Sequence, residues 1–85
     1  MSYSVGDLVI SLCGHDKGEL FIVLEADEVY VTVCDGKRRK AEKNKKKKNK
    51  HVMPTGQRTD LIKNAESFAV DAVVRREIKR LREFL

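Results

Sequence analysis

The residues of this 85-residue chain most suited to chemistry form one dense basic run in its middle. Lys37 to Lys50, KRRKAEKNKKKKNK, hold ten basic side chains and one acidic side chain in fourteen positions, and we call this stretch the basic segment. A lysine or arginine placed near a phosphate displaces condensed counterions, and the entropy of their release drives binding. This residue type at this density therefore predicts contact with a polyanion.

The rest of the chain carries the opposite charge. The chain has a net charge of +5, and the basic segment contributes ten minus one, or +9, so the other residues sum to −4. Like charges repel, and a fold gains nothing from concentrating them unless an anion is expected. We therefore favour an anion-binding surface over a solvated loop, with a nuclear-targeting peptide as a further interpretation.

Two other groups of reactive side chains are weaker indications of function. One group is Ser11, Cys13, His15 and Asp16. Alternate strand positions point in different directions, and no third orienting group is identifiable, so catalysis is disfavoured. The other group is Cys13, His15, Cys34 and His51. Its spacing matches no compact zinc finger, and two cysteines so far apart indicate no disulfide framework. We predict no enzyme activity, no metal and no cofactor.

Strands must position the basic segment, because short β-rich runs precede it. Val5 to Cys13 and Glu19 to Ala26 are rich in β-branched and aliphatic residues and are separated by the turn GHDKG. In EVYVTVCDG, the residues from Val29 to Cys34 alternate with period two, which predicts a third strand with two distinct faces. A further strand is expected in KHVMPTG, with Pro54 and Gly56 ending it. The spacing predicts an antiparallel meander that bends into a small barrel or sandwich.

After Gly56 the apolar spacing becomes helical. The stripe consists of Val70, Val74, Ile78, Leu81 and Leu85. We predict Asn64 as the N-cap, with Glu66 near the first turn. Two i,i+4 ion pairs, Asp71 with Arg75 and Lys79 with Glu83, are expected on the exposed side.

The predicted helix has three possible partners. Packing on the barrel is favoured, because so small a domain needs further apolar burial. Arg75, Arg76, Lys79, Arg80 and Arg82 lie opposite the stripe. They leave open a membrane-surface helix, and the stripe itself leaves open a dimer interface. The opening MSYSVGD lacks the charged start and apolar run of a secretory signal, and we expect a cytoplasmic protein.

The run VGDLVISLCGHDKGELFIVLEADEVYV, Val5 to Val31, resembles the KOW motif, and GHDKG matches its G-x-D-K-G core. The continuation VCDGKRRKAEKNKKKKNKHVMPT, Val33 to Thr55, resembles archaeal and eukaryotic large-subunit ribosomal proteins of the L-fourteen family and their short bacterial relatives. Those relatives tend to have an aliphatic residue before the Lys-His pair, where this chain has Asn49.

The resemblance implies a mainly β fold, an SH3-like small barrel of about five antiparallel strands, with RNA contacts in the first loop and the basic region. We assign residues 1–63 to the barrel and residues 64–85 to a C-terminal amphipathic α-helix appended to the same domain. The motif's fixed glycine falls on Gly18. The first predicted contact loop is Gly14, His15, Asp16, Lys17 and Gly18. The second predicted contact set is Lys37, Arg38, Arg39, Lys40, Lys43, Lys45, Lys46, Lys47, Lys48, Lys50 and His51.

We therefore expect a non-enzymatic RNA-binding protein, ribosomal or ribosome-associated, whose partner is RNA, most simply ribosomal RNA. The alternative is a transcription- or translation-associated protein-interaction module that uses the barrel and the C-terminal helix. The aromatic residues are Tyr3, Phe21, Tyr30, Phe68 and Phe84. Single-strand binders stack bases on exposed rings, and several of these five must be core. Backbone and shape readout of structured RNA is favoured, while charge alone leaves DNA open.

Overall fold

The computed structural model describes residues 2–85, which fold into five antiparallel strands followed by one helix. The strands are β1 (Asp7–Ser11), β2 (Leu20–Ala26), β3 (Tyr30–Cys34), β4 (Lys45–Lys48) and β5 (Val52–Arg58), and the helix is α1 (Val70–Leu81). Short 3₁₀ turns lie at Ala41–Lys43, Asn49–His51, Ser67–Ala69 and Arg82–Phe84. The predicted fold class, five antiparallel strands with a C-terminal helix, is confirmed.

The strands form one open sheet in the order β4-β3-β2-β1-β5. β4 and β5 lie at opposite edges, yet only the three residues Asn49–His51 separate them along the chain. Four Cα–Cα steps from Lys48 to Val52 span at most about 14 Å. The sheet is therefore strongly curled, which makes it barrel-like without β4 and β5 pairing.

The curl gives the sheet two buried faces. The inner cluster, on the concave face, contains Tyr3, Val9, Phe21, Val23, Val31, Val33 and Val52. The outer cluster, on the face covered by α1, contains Leu8, Ile22, Cys34, Ile62, Val74 and Leu81. Neighbouring strand residues such as Leu8 and Val9 belong to different clusters, as period two requires. The alternation predicted for the third strand is confirmed from Tyr30 onward, while Val29 precedes the strand and is exposed.

α1 covers the outer face of the sheet. Val74 and Leu81 are buried in the outer cluster, whereas Val70 and Ile78 are partly buried against it. The predicted packing of the helix on the barrel is therefore confirmed. No helix within residues 2–85 is long and apolar enough to cross a membrane.

The helix carries one buried acid, Glu77. Its carboxylate accepts hydrogen bonds from Thr59 Oγ1 at 2.6 Å and from Arg80 Nε and Nη2 at 2.9 and 2.8 Å. The Arg80 guanidinium and the Thr59 hydroxyl outweigh the effect of burial and lower the pKa of Glu77 to about 2. The carboxylate thus ties α1 to the chain that leaves β5.

Two predicted boundaries are wrong. The helix begins at Val70, after a 3₁₀ turn, and Asn64 does not cap it. The chain first turns at residues 61–64, where Ile62 enters the outer cluster, and Glu66 is extended. β5 continues past Pro54 and Gly56 to Arg58, because an edge strand tolerates residues that interrupt a ladder. The β1 pairing also shifts register between Asp7 and Val9, which accommodates the extra residues.

We predict that Leu81→Ala lowers the free energy of unfolding by about 2–4 kcal/mol, because it leaves a cavity between α1 and the sheet. The matched control is Leu85→Ala, which should change it by less than about 0.5 kcal/mol. Leu81 is 3% exposed and Leu85 is 59% exposed. Urea denaturation of both variants measures the difference, and equal effects would contradict the packing of α1.

Candidate nucleic-acid interface

The fourth strand lies inside the basic segment. β4 is the run Lys45–Lys48, and it forms an edge of the sheet paired only with β3. Lys45 pairs with Val33 and Lys47 with Val31, so these two lysines share the face of the inner cluster. Lys46 and Lys48 point to the other face and are exposed. The four consecutive lysines therefore divide into two pairs with different surroundings.

The inward pair is held by one carboxylate, Asp16. Lys45 Nζ lies 2.9 Å from Asp16 Oδ2, and Lys47 Nζ lies 3.0 Å from Asp16 Oδ1. Ser11 Oγ donates a hydrogen bond to Asp16 Oδ1 at 2.6 Å, and Lys47 Nζ donates a further one to the Cys13 carbonyl at 3.2 Å. Burial alone would raise the pKa of Asp16, but these donors outweigh it and hold the pKa well below its ordinary value. Asp16 is therefore ionised and offsets part of the positive charge of Lys45 and Lys47. Its negative charge would repel a phosphate group.

The turn between β1 and β2 presents Asp16 in this position. Gly14 and Gly18 have positive φ angles of 88° and 89°, and the Gly18 amide donates to the Ser11 carbonyl at 2.8 Å. This geometry closes the turn and directs the Asp16 side chain inward, while His15 and Lys17 remain exposed. Among the residues of the predicted first contact loop, those two side chains are free to meet a ligand.

The start of the basic segment is an ordered turn around Asp35. Asp35 Oδ1 accepts hydrogen bonds from the backbone amides of Lys37 at 2.8 Å and Arg39 at 2.9 Å. The side chains that follow are exposed and basic: Lys37, Arg38, Arg39, Lys40 and Lys43. The carboxylate therefore fixes the backbone and leaves the cations at the surface.

α1 holds this turn in place. Asp71 Oδ1 accepts a hydrogen bond from the Ala41 amide at 2.8 Å, and Arg75 Nη1 donates one to the Gly36 carbonyl at 2.6 Å. The predicted surface ion pairs, Asp71 with Arg75 and Lys79 with Glu83, are not among the ion pairs within residues 2–85. Asp71 and Arg75 instead connect the helix to the basic segment, because α1 packs close enough for both to reach its backbone.

The end of the segment is fixed by Asn49. Its amide donates to the Val29 carbonyl at 2.8 Å, and its Nδ2 donates to the carbonyls of Asp27 and Glu28, each at 3.1 Å. These bonds join the end of β4 to the β2–β3 turn. His51 follows in the 3₁₀ turn and is half-buried, and its carbonyl accepts a hydrogen bond from the Leu12 amide.

The predicted contact residues of the basic segment are thus not equivalent. Lys47 has a side chain only 6% exposed, so it does not fit the role of a phosphate contact and acts within the fold. Lys45 is half-buried against Asp16, which is itself an acceptor. The remaining basic side chains of the segment are exposed: Lys37, Arg38, Arg39, Lys40, Lys43, Lys46, Lys48 and Lys50. Lys46 Nζ additionally lies 4.6 Å from the centroid of the Tyr30 ring.

The cysteines and histidines were the other candidates for a reactive site. Residues 2–85 contain no cluster of three or more His, Cys, Asp or Glu side chains that could hold a metal ion. Cys34 is fully buried, and burial together with nearby Asp71 and Asp35 raises the pKa of its thiol to about 12. Cys34 is therefore a protonated core residue at neutral pH.

No protein-family model matches this sequence, and no curated protein is significantly similar to it. The resemblance to the KOW motif and to the L-fourteen family therefore remains a prediction from GHDKG and the basic segment.

We predict that Asp16→Asn destabilises the protein by about 2–4 kcal/mol, because it leaves Lys47 buried without a counter-charge. The matched control is Asp60→Asn, since Asp60 is exposed and makes no hydrogen bond or ion pair within residues 2–85. Asp60→Asn should change the free energy of unfolding by less than about 0.5 kcal/mol. Thermal and urea unfolding measure both, and a similar small loss for both variants would show that Asp16 does not hold β4.

We predict that Gly36→Ala destabilises the protein by at least about 2 kcal/mol more than Gly56→Ala. Both glycines have positive φ, 77° and 86°, so both variants suffer similar backbone strain. A methyl group at Gly36 would collide with the Asp71 carbonyl and Arg75, whereas nothing lies within 4 Å of one at Gly56. Urea denaturation compares the two, and equal losses would mean that α1 is not held against the basic segment.

Proposed function

We propose that this protein is a non-enzymatic RNA-binding protein, ribosomal or ribosome-associated, that grips structured RNA. Contact is made by the exposed cations of the basic segment and by close backbone approach at the turn Gly14–Gly18. The observation that supports this most is the ordering of the segment. The turn at Asp35, the ion pairs of Asp16 and the hydrogen bonds of Asn49 fix its backbone while eight of its ten basic side chains stay exposed.

Protection of a sheet edge is a competing explanation for the lysines. Lysines on an exposed edge strand prevent pairing with another sheet, and Lys46 and Lys48 occupy such a strand. The explanation does not extend to Lys37–Lys40, because those residues lie outside any strand. A surface for an anionic partner accounts for both groups.

Structured RNA is favoured over a free strand because stacking surfaces are scarce. Tyr3 and Phe21 are buried, and Lys46 lies over the ring of Tyr30. Phe68 and Phe84 are exposed but flank α1, away from the basic segment in sequence. Because Lys46 lies over the Tyr30 ring and the exposed rings lie outside the basic segment, contacts to phosphates and to helical shape are the favoured mode.

The protein-interaction alternative is less favoured, because much of the apolar stripe that it would use is packed within the fold. Val74 and Leu81, the centre of the apolar stripe, are buried in the protein's own outer cluster. A module of that kind would need the exposed rings of Phe68 and Phe84 instead. RNA binding in the cytoplasm therefore remains our proposal.

We predict that the affinity for a folded hairpin RNA falls steeply as the salt concentration rises. Each phosphate contact contributes roughly 0.7–0.9 to the slope of log affinity against log salt concentration. The double variant Lys48→Gln/Lys50→Gln should therefore reduce that slope by about 1.4–1.8. The control is Arg58→Gln/Lys63→Gln, which removes the same charge outside the basic segment. Fluorescence anisotropy across salt concentrations measures all three proteins.

Phosphate contacts position a protein without reading sequence, so the loss in the Lys48/Lys50 variant should be similar for hairpins of unrelated sequence. A flat salt titration of the wild-type protein, or no binding at all, would overturn the proposed function. An equal loss in the Arg58/Lys63 control would show that net charge, and not this surface, controls binding.

A further inference from the structure

A groove runs between α1, the turn that precedes β2 and the turn that follows β3. Its volume is about 890 Å³. Six cations line it: Lys37, Arg38, Arg75, Arg76, Lys79 and Arg82. Two acids line it as well, Glu19 and Asp35. The groove is therefore cationic, and four of its six cations come from α1 and the turn after it, outside the basic segment.

Most of these cations have no counter-charge of their own. Within residues 2–85, no carboxylate lies within 4.0 Å of the charged groups of Lys37, Arg76, Lys79 or Arg82. Arg38 pairs with Glu19 at 3.4 Å, but both side chains are exposed, and such pairs are weak. The Asp35 carboxylate accepts hydrogen bonds from the backbone amides of Lys37 and Arg39. The positive charge of the groove is thus available to a ligand.

The groove is continuous with the basic segment. A smaller cavity of about 180 Å³ shares Glu19, Asp35 and Arg38 with it and is also lined by Arg39 and Lys45. Arg75, which lines the groove, is hydrogen-bonded to the Gly36 carbonyl at 2.6 Å. The cations of α1 therefore hold a fixed position relative to those of the segment.

We propose that this groove is a second part of the RNA-binding surface and takes the sugar-phosphate backbone of the same RNA that the basic segment binds. The inference rests on the proposed function. It assigns Arg76, Lys79 and Arg82 a direct role in RNA binding, where the sequence alone left a membrane surface open. Most of the apolar stripe that would insert into a bilayer is buried or partly buried against the protein's own outer cluster.

The residues that line the groove also favour contacts with phosphates over contacts with bases. No aromatic ring is among the residues that line the groove. A base would find no stacking partner there, whereas lysine and arginine side chains suit phosphate oxygens. The groove therefore adds affinity without adding sequence preference.

The test is Lys79→Gln/Arg82→Gln, compared with Arg58→Gln/Lys63→Gln as a control of equal charge. We expect the groove variant to bind a folded hairpin RNA roughly tenfold more weakly near physiological salt and to reduce the logarithmic salt slope by about 1.4–1.8. Unfolding temperatures should match the wild-type protein, because neither side chain is hydrogen-bonded or paired within residues 2–85.

The outcomes separate this inference from the proposed function. If Lys48→Gln/Lys50→Gln weakens binding and the groove variant does not, the groove inference fails while the function stands. If the wild-type protein does not bind the hairpin, both fail. Binding to vesicles containing phosphatidylserine that depends on Lys79 and Arg82, with RNA binding unchanged, would overturn the groove inference in favour of a membrane surface.

Discussion

The interaction on which this structure depends is the contact of one carboxylate, Asp16, with two lysines of an edge strand. A run of four lysines has low strand propensity and strong mutual repulsion, so β4 has no local reason to form. Asp16 pairs with both lysines that the curl turns inward and offsets one of their two charges, and Lys47 can then be buried. The turn that carries Asp16 is thereby joined to the basic segment, so the two regions predicted to contact RNA form a single structural unit.

Four identical residues also cannot by themselves define the register in which β4 pairs with β3. A slip of one residue would turn Lys46 and Lys48 inward and expose Lys47, with no change in side-chain type. The register is set from outside the lysines, by Asn49, whose amide and side chain are hydrogen-bonded to the β2–β3 turn. Asn49 occupies the position where the resembled family tends to carry an aliphatic residue. In this chain, hydrogen bonds hold the end of β4.

Sequence reasoning succeeded where local patterns decide the structure. Runs of β-branched and aliphatic residues located β1 and β2, period two located β3, and the helical stripe located the buried face of α1. The residue pattern did not place β4, the remaining strand of the predicted five, because the strand state of Lys45–Lys48 is imposed by tertiary contacts. It misplaced the start of α1, because Asn64 resembles a cap while the burial of Ile62 delays the helix. The exposed charge could be predicted, but the burial of Lys47 and the groove could not, since both require knowing what packs beside them.

The position of the basic segment in mid-chain follows from these attachments. A terminal lysine tail loses much conformational freedom on binding, which reduces the net gain from each phosphate contact. Here the backbone is already fixed at its start by Asp35, Asp71 and Arg75, and at its end by Asn49. Binding then orders mainly the side-chain ends. Since a folded RNA presents phosphates at defined positions, a cationic surface of fixed shape suits it better than a flexible tail would.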